Sequence, residues 1–241
     1  QHIHDHYRRR PGGGPSWQRV MKSAGLLLKK GVPVNAMCCV TSHSAEHAGE
    51  IYSFFKKLGL RWMQFIPVVE TDAGDPGKAA DFSVHAEQHG RFLTEIFDLW
   101  QKDFRNGRPT TNIRLFDSLF RTSEEPGTPD CHLCRECGVY VTVEHNGDIY
   151  PCDFFVERGW KLGNVMVHRL IERLNSRKQT KFGRMKSRLP AKCSQCEWYL
   201  HCFGGCTKDR IRDPSDNGVP RFCRSMDMLM RHADAVLSSA R

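Results

Sequence analysis

The sequence predicts an α/β fold followed by a small cysteine-rich α+β domain. Helical and strand patterns alternate along residues 16–67, and this order is typical of a parallel sheet. Further along the chain the character changes, because nine of the eleven cysteines lie within residues 131–241. A chain of 241 residues is long enough for two modest domains. We therefore predict a first domain over residues 1–125 and a second over residues 126–241.

The first domain is predicted to begin with two helix–strand pairs. Ser16 is a typical N-cap, and apolar residues recur at helical spacing over residues 17–30. Residues 34–40 form a continuous apolar run, which favours a strand buried on both faces. A second helix over residues 44–58 and a second strand over residues 62–66 repeat the pattern. The two strands are therefore expected to lie parallel in one sheet.

A sheet of two parallel strands does not make a domain, because strands buried on both faces need neighbours. The first long element is a helix with no strand before it. We therefore expect the chain to be the back part of a longer protein whose earlier strands are missing. A small domain of unusual topology is the alternative.

The rest of the first domain is predicted to contain a loop, a long helix and a linker. Residues 70–82 are rich in glycine, proline and aspartate, which is typical of a loop. Ser83 is predicted to cap an amphipathic helix that ends near residues 106–107. Residues 112–120 are ambiguous, and residues 121–130 have the composition of a linker.

The second domain contains one clear hairpin pattern. Two strands over residues 140–144 and 148–150 are separated by residues 145–147, whose Asn-Gly pair favours a tight turn. Helices are predicted over residues 168–187 and from Cys223 to the end. This mixture predicts a small α+β domain with a β-hairpin.

The formal net charge of +9 would ordinarily suggest a nucleic-acid partner. The basic residues are scattered, however, and residues 8–10 form the one compact basic run. The clustered cysteines could also bind iron–sulfur clusters, whose charge the formal count leaves out. A cluster bound by four thiolates carries about −2, so two such clusters would offset about four positive charges. We therefore predict no nucleic-acid partner.

The sequence shows neither an apolar run of transmembrane length nor the apolar segment of a signal peptide near the first residues. We therefore expect a cytoplasmic protein without a membrane partner. In a reducing compartment, clustered cysteines serve more often as metal ligands than as disulfides. The odd number of eleven also fits a disulfide framework poorly.

The spacing of the cysteines predicts soft metal centres. Thiolates are the ligands that iron–sulfur clusters require, and two clusters of four ligands would use eight of the nine cysteines. Isolated CxxC pairs also occur in zinc ribbons, but the whole array is more specific. The two groups along the sequence are Cys131, Cys134, Cys137 and Cys152, and then Cys193, Cys196, Cys202, Cys206 and Cys223.

With these spacings the chain resembles the anaerobic sulfatase-maturating enzymes, which are radical S-adenosylmethionine (radical SAM) enzymes with a C-terminal SPASM auxiliary-cluster domain. The resemblance implies that the first domain is the back part of a partial TIM-type (β/α) barrel. The segments that carry it are residues 4–8, 35–40, 64–67, 137–155, 162–164 and 202–210.

The resemblance implies a ligand set for each of two auxiliary [4Fe–4S] clusters. The two sets interleave in sequence, and neither cluster would keep an open coordination site. Cys134 is left over, although it could replace a neighbouring ligand. We call Cys131, Cys137, Cys152 and Cys206 the first set (cluster I), and Cys193, Cys196, Cys202 and Cys223 the second set (cluster II).

The resemblance also implies a role for Asp153, which directly follows a ligand of cluster I. In the family this position is the proposed general base that removes a proton from the target side chain. A carboxylate that caps or hydrogen-bonds a local turn is the alternative.

Further site residues follow from the same analogy. Gln64, Phe65 and Ile66 are predicted to face the SAM pocket, because barrel ligands lie at the carboxyl ends of strands. Arg114 and Asp117 either line a peptide pocket or form a surface ion pair.

Two further groups of residues, three histidines and two cysteines, are not predicted to form functional sites. His2, His4 and His6 are predicted to be solvated loop residues rather than a metal site. Cys38 and Cys39 are predicted to be core residues of a strand.

The resemblance implies oxidation of a cysteine or serine in a sulfatase to Cα-formylglycine. Its partners would be an unfolded sulfatase polypeptide and a reductant such as flavodoxin or ferredoxin, and the protein would be a monomer. The chain has no CxxxCxxC motif for the third [4Fe–4S] cluster that binds SAM, so the fragment is expected to be inactive alone. The alternatives are another SPASM peptide maturase that forms thioethers or modifies other peptides, and a non-catalytic electron-transfer or zinc module.

Overall fold

The computed structural model describes residues 1–75, 78–120, 130–211 and 219–239. These residues form two units. The first contains residues 1–70, 80–120 and 224–239, and the second contains residues 71–75, 78–79, 130–211 and 219–223. Nearly all of the predicted linker, residues 121–129, lies outside the described residues.

Helices and strands alternate in the first unit, and short helices dominate the second. The helices are α1 (His2–Tyr7), α2 (Trp17–Lys29), α3 (Ala48–Lys57), α4 (Ala86–Lys102), α5 (Arg114–Phe120), α6 (Leu170–Leu174), α7 (Arg177–Met185), α8 (Ala191–Ser194), α9 (Tyr199–Cys202), α10 (Thr207–Ile211) and α11 (Cys223–Ser239). The strands are β1 (Ala36–Val40), β2 (Trp62–Pro67), β3 (Phe104–Arg105), β4 (Arg108–Pro109), β5 (Asn112–Ile113), β6 (Thr142–Val143), β7 (Asp148–Tyr150) and β8 (Gly163–Asn164).

The first unit contains the predicted parallel sheet. Strands β1 and β2 run parallel, with Ala36 opposite Met63 and Val40 opposite Pro67. Strand β5 pairs in parallel with the other edge of β2, so the strand order is β1-β2-β5. Ala36 and Val40 are buried on one face of β1, but Met37 on the other face is 66% exposed, so the predicted burial of this strand on both faces is wrong. The predicted parallel α/β arrangement is confirmed.

Helix α4 packs its apolar face into the core of the first unit. The ring of Phe92 lies 5.3 Å from that of Phe65 on β2, and the ring of Phe97 lies 5.6 Å from that of Phe116 on α5. Phe92, Phe97 and Phe116 are almost completely buried. These aromatic contacts hold the helix against the sheet and against α5.

The long helix begins later than predicted, because Ser83 makes a different contact. The Ser83 hydroxyl accepts a hydrogen bond from the main-chain N–H of Glu70 at 3.1 Å and donates to the Glu70 carbonyl at 3.3 Å. The main-chain N–H of His85, just before the helix, donates to the side chain of Gln88 at 3.3 Å. Ser83 therefore joins two loop segments instead of capping α4.

The same helix also ends earlier than predicted. Strands β3 and β4 pair antiparallel, and the turn between them contains Asn106 and Gly107 at φ values of 51° and 72°. An Asn-Gly pair with positive φ at both positions is typical of a tight hairpin turn. Residues 106–107, which were predicted to end the helix, therefore form a hairpin turn.

Helix α11 packs within the first unit from its second residue onward, although the sequence division placed residues 224–241 in the second domain. Ser225 Oγ lies 2.8 Å from His89 Nδ1, and His232 Nε2 lies 2.6 Å from Asp98 Oδ1. Both partners are on α4. Because these contacts join helices that are distant in sequence, the sequence alone did not predict that α11 belongs to the first unit.

The second unit contains the predicted hairpin. Strands β6 and β7 pair antiparallel, and Gly147 in the turn has a φ of 84°. Strand β8 adds a third strand that was not predicted, because two residues carry no recognisable period. The helix predicted over 168–187 is divided into α6 and α7, where Ser176 accepts a hydrogen bond from the Gln179 N–H at 3.2 Å.

No described helix is both long and apolar enough to cross a membrane.

Candidate metal centre

Two cysteines of the first set meet at one tyrosine. The Tyr140 hydroxyl lies 4.0 Å from Cys131 Sγ and 3.6 Å from Cys152 Sγ. Cys131 lies in a 3₁₀ turn, and Cys152 follows the hairpin strand β7 after one residue. The hairpin therefore brings together two thiols that are distant in sequence.

The other two members of the first set approach through helix α10. Cys137 Sγ lies 3.8 Å from Oγ1 of Thr207, the first residue of α10, which directly follows Cys206. Cys206 interacts electrostatically with Cys137 and Cys131. The structure thus brings all four cysteines of the first set into one neighbourhood.

The second set forms around Cys193. This thiol interacts electrostatically with the other three members, Cys223, Cys202 and Cys196. Cys193 is buried in α8, Cys202 ends α9 and Cys223 begins α11, so three helices present three of the four members.

Burial makes five thiols of the two sets harder to ionise. Burial raises the pKa of Cys152 to about 11 and the pKa of Cys206 to about 12. Burial likewise raises the pKa of Cys137, Cys193 and Cys202. Ligation requires thiolates, so metal binding at these positions must displace protons.

The donor chemistry fits two thiolate-bound metal centres. The nine cysteines of the second unit are thiols and not disulfides, and eight of them fall into two groups of four. Four thiolates are the ligand set of a cubane iron–sulfur cluster, and four thiolates also bind zinc.

Gly204 packs closely against the side chain of Leu189, beside Cys193 of the second set. Its φ is +76°, and an added Cβ would lie 2.4 Å from Leu189 Cδ2 and 3.9 Å from Cys193 Sγ. Any side chain here would be strained and would also displace Leu189.

We expect Gly204→Ala to lower the free energy of unfolding by about 1–3 kcal/mol, because strain and overpacking add. Gly159→Ala is the matched control, since Gly159 has an ordinary φ and an added Cβ would meet no atom within 4 Å. Denaturant unfolding of the metal-loaded protein measures both. Equal stability of the two variants would contradict the expectation.

Cys134 lies beside the first set. Its thiol donates to the Asp130 carbonyl at 3.7 Å and interacts electrostatically with Lys186 and Cys131. Both possibilities for Cys134, spare thiol or substitute ligand, are compatible with this position.

Asp153 presents a carboxylate next to a thiol of the first set. Cys152 Sγ donates to Asp153 Oδ1 at 3.3 Å, and Asp153 is exposed at the start of a 3₁₀ turn. The carboxylate is therefore accessible and adjacent to a candidate ligand.

The three residues predicted to face a SAM pocket lie on β2, but their side chains cannot all face one way. Phe65 is buried against Phe92, whereas Gln64 and Ile66 point to the opposite face because side chains alternate along a strand. Arg114 and Asp117 lie one turn apart on α5, where Arg114 is exposed and Asp117 is half-buried.

The histidines are not in a loop, because residues 2–7 form helix α1. His4 Nε2 lies 3.0 Å from Ser16 Oγ. Glu50 lies 2.7 Å from His47 Nδ1 and 3.9 Å from His2 Nε2. His2 and Glu50 are exposed, and the His47–Glu50 contact is a hydrogen bond that needs no metal.

Cys38 and Cys39 lie in β1, as predicted, and both are half-buried. Burial raises the pKa of Cys38 to about 12, so this thiol is neutral. Arg8 Nη2 donates to Cys39 Sγ at 3.3 Å.

Residues 131–197 match the family model for SPASM, an iron–sulfur cluster-binding domain. The chain is 36% identical over 250 residues to a serine-type anaerobic sulfatase-maturating enzyme of Bacteroides thetaiotaomicron, covering 96% of this chain and 59% of that relative. It is 32% identical over 232 residues to a cysteine-type anaerobic sulfatase-maturating enzyme of Clostridium perfringens, covering 96% of this chain and 62% of the relative.

A solved structure has a similar fold. Native anSMEcpe with bound AdoMet and Cp18Cys peptide matches with a TM-score of 0.86 and 28% sequence identity, over 98% of this chain and 65% of that one. The chain therefore spans about three fifths of the length of the relatives it matches.

Proposed function

The chain is homologous to the anaerobic sulfatase-maturating enzymes and carries a SPASM iron–sulfur domain, and from this premise we propose that it supplies the back of a radical SAM barrel and the auxiliary clusters of a sulfatase maturase. The complete protein would oxidise a cysteine or serine of a sulfatase polypeptide to Cα-formylglycine. The observation that carries the proposal is the convergence of eight cysteines into two interleaved sets of four.

The first set would hold cluster I and the second set cluster II. Clusters bound there would accept and pass single electrons, which is the chemistry that a [4Fe–4S] centre with four protein ligands supplies. Tyr140 would fix the positions of Cys131 and Cys152, and Thr207 that of Cys137, through the contacts at 3.6–4.0 Å.

Asp153 would act as the general base. Oxidation of a serine hydroxyl to an aldehyde, or of a cysteine thiol to a thioaldehyde that water then hydrolyses to the aldehyde, requires loss of the O–H or S–H proton. An exposed carboxylate 3.3 Å from a ligand sulfur can accept that proton close to the place where the electron leaves.

The first unit would hold part of the SAM and peptide sites. Gln64 and Ile66 share one face of β2 near its carboxyl end, where ligands bind in barrels of this type. The chain contains no CxxxCxxC motif, so we propose that SAM cleavage needs residues beyond these 241. An unfolded sulfatase polypeptide and a flavodoxin or ferredoxin would be the partners of the monomeric enzyme.

The test is an anaerobic assay of the longer protein that contains this chain. Peptides carrying a cysteine or a serine at the target position are incubated with SAM and a reductant, and the aldehyde is trapped with a hydrazide and identified by mass. Aldehyde from either peptide supports the proposal and identifies the target residue. A thioether product, or intact peptide, would favour another SPASM maturase.

A non-catalytic zinc module is distinguished by metal analysis. We expect about eight irons and eight sulfides per chain after anaerobic purification, because each cubane holds four of each. Two zinc ions without sulfide would rule out the redox function. This measurement is independent of the assay with peptide.

A further inference from the structure

Lys186 is a lysine with no exposed surface in the second unit, next to the end of α7. Its Nζ donates to the carbonyls of Cys131 and His132, both at 2.8 Å. No carboxylate of the described residues lies within 4 Å of Nζ. A buried ammonium without a negative partner is costly, so a nearby negative charge would stabilise the charged form of Lys186.

The titratable groups around Lys186 are thiols. Cys137, Cys134, Cys131 and Cys206 all interact electrostatically with it, and three of these belong to the first set. Burial lowers the pKa of Lys186, and the four cysteine side chains oppose that shift. Bound thiolates would therefore provide the missing negative partner.

Arg210 is a second cation in the same place. Its guanidinium donates to the carbonyls of Lys186 and Arg188 at 2.8 and 2.9 Å, and its Nε is buried without a hydrogen-bond partner among the described residues. It interacts electrostatically with Cys193 of the second set and with two members of the first. Arg210 therefore contacts the main chain of Lys186, and both cations interact electrostatically with Cys137 and Cys206.

Lys208 shows that burial alone does not produce this arrangement. It is also a buried lysine close to Cys206, but its Nζ lies 3.8 Å from Asp209 Oδ1 and 4.2 Å from the centre of the Phe154 ring. Its charge therefore has a carboxylate and an aromatic face as neighbours. Lys186 has the cysteines instead.

We propose, on the premise of the function above, that Lys186 and Arg210 are a buried cationic pair that offsets the negative charge of the cluster held by the first set and raises its reduction potential. Reduction adds one negative charge to a centre that already carries about −2, and a nearby buried cation stabilises the reduced form more than the oxidised form. A higher potential favours acceptance of the electron that leaves the substrate. Both residues act through the cluster and are positioning residues.

The experiment is a redox titration of the anaerobically purified, cluster-loaded chain, followed by the EPR signals of its reduced clusters. Lys186→Met removes the charge and the hydrogen bonds, whereas Lys186→Gln removes the charge and keeps a donor group. Lys181→Met is the matched control, because it removes the same charge from an exposed position on α7, where solvent screens it. Iron and sulfide are measured in every sample.

We expect both Lys186 variants to shift the potential of one cluster to more negative values and to leave the second cluster less affected. Lys181→Met is expected to leave both potentials unchanged. Full clusters in Lys186→Gln with unchanged potentials would overturn the inference while leaving the proposed function intact. Wild-type protein without iron and sulfide would instead overturn the proposed function, and the inference with it.

A second pair of variants keeps the test decisive if the Lys186 variants lose a cluster. Arg210→Lys keeps the positive charge and Arg210→Gln removes it, and both shorten the side chain. A more negative potential in Arg210→Gln than in Arg210→Lys supports the proposal. Equal potentials in the two variants would overturn it.

Discussion

Asp153→Asn is expected to lower the rate of formylglycine formation by about 10²–10⁴-fold, the range typical of a lost general base. The amide has nearly the same size as the carboxylate but cannot accept the proton of the target. The carboxylate lies 3.3 Å from Cys152 Sγ, yet it is not among the predicted ligands, so iron and sulfide content should not change. The measurement is the single-turnover rate of aldehyde formation in the longer protein.

Glu157→Gln is the matched control for this variant. Glu157 is an exposed acid four residues further along the same loop, and it should tolerate the change with no effect on rate. A D153N enzyme that retains the wild-type rate would exclude Asp153 as the base.

Loss of one ligand from the first set should have the largest effect on structure. Cys206→Ala is expected to reduce the iron content from about eight to about four or fewer per chain, because the cluster loses one of four ligands. Because α10 begins directly after Cys206, helix α10 should lose its position as well. The measurements are iron, sulfide and the amide hydrogen exchange of the second unit.

Cluster loss is expected to disturb the second unit because this unit has a small apolar core. A compact group of Cys152, Phe155 and Phe182, with a few half-buried neighbours, forms one of its hydrophobic centres. In such units the free energy of metal binding is part of the free energy of folding. The first unit, whose core includes Phe92, Phe97 and Phe116, should keep its protection when the clusters are removed.

Cys134→Ala provides the comparison that settles the ninth cysteine. If Cys134 is spare, this variant keeps about eight irons. If it instead loses iron to the same extent as Cys206→Ala, Cys134 is a ligand and the predicted first set must be revised. The hydrogen bonds of Lys186 should not alter this comparison of iron content, because they go to the main chain of Cys131 and His132.

The sequence predicted local structure well where the pattern was long. The parallel strands β1 and β2 and the hairpin β6-β7 follow directly from an apolar run and an Asn-Gly turn. It was less reliable where a tertiary contact competes with local preference. Ser83 was predicted as a cap from its residue type, but its hydroxyl bonds Glu70, thirteen residues earlier in the chain.

The candidate site shows the same division. Sequence reasoning named Asp153 and the eight cysteines, but it missed Lys186 and Arg210, because a lysine or arginine in a basic stretch carries no sign of burial. A lysine with no exposed surface is recognisable only when the thiols that surround it have been brought together.

The sequence alone predicted the chemistry, because clustered thiols are the ligands that soft metals prefer in any fold. The tertiary structure was needed to show which thiols lie near one another, which unit holds α11 and which cations lie near the first set. The spacing of cysteines along the chain constrains the distance only between thiols that are a few residues apart. Cys131, Cys152 and Cys206 are distant in sequence, so the packing of the hairpin and of α10 had to determine their neighbourhood.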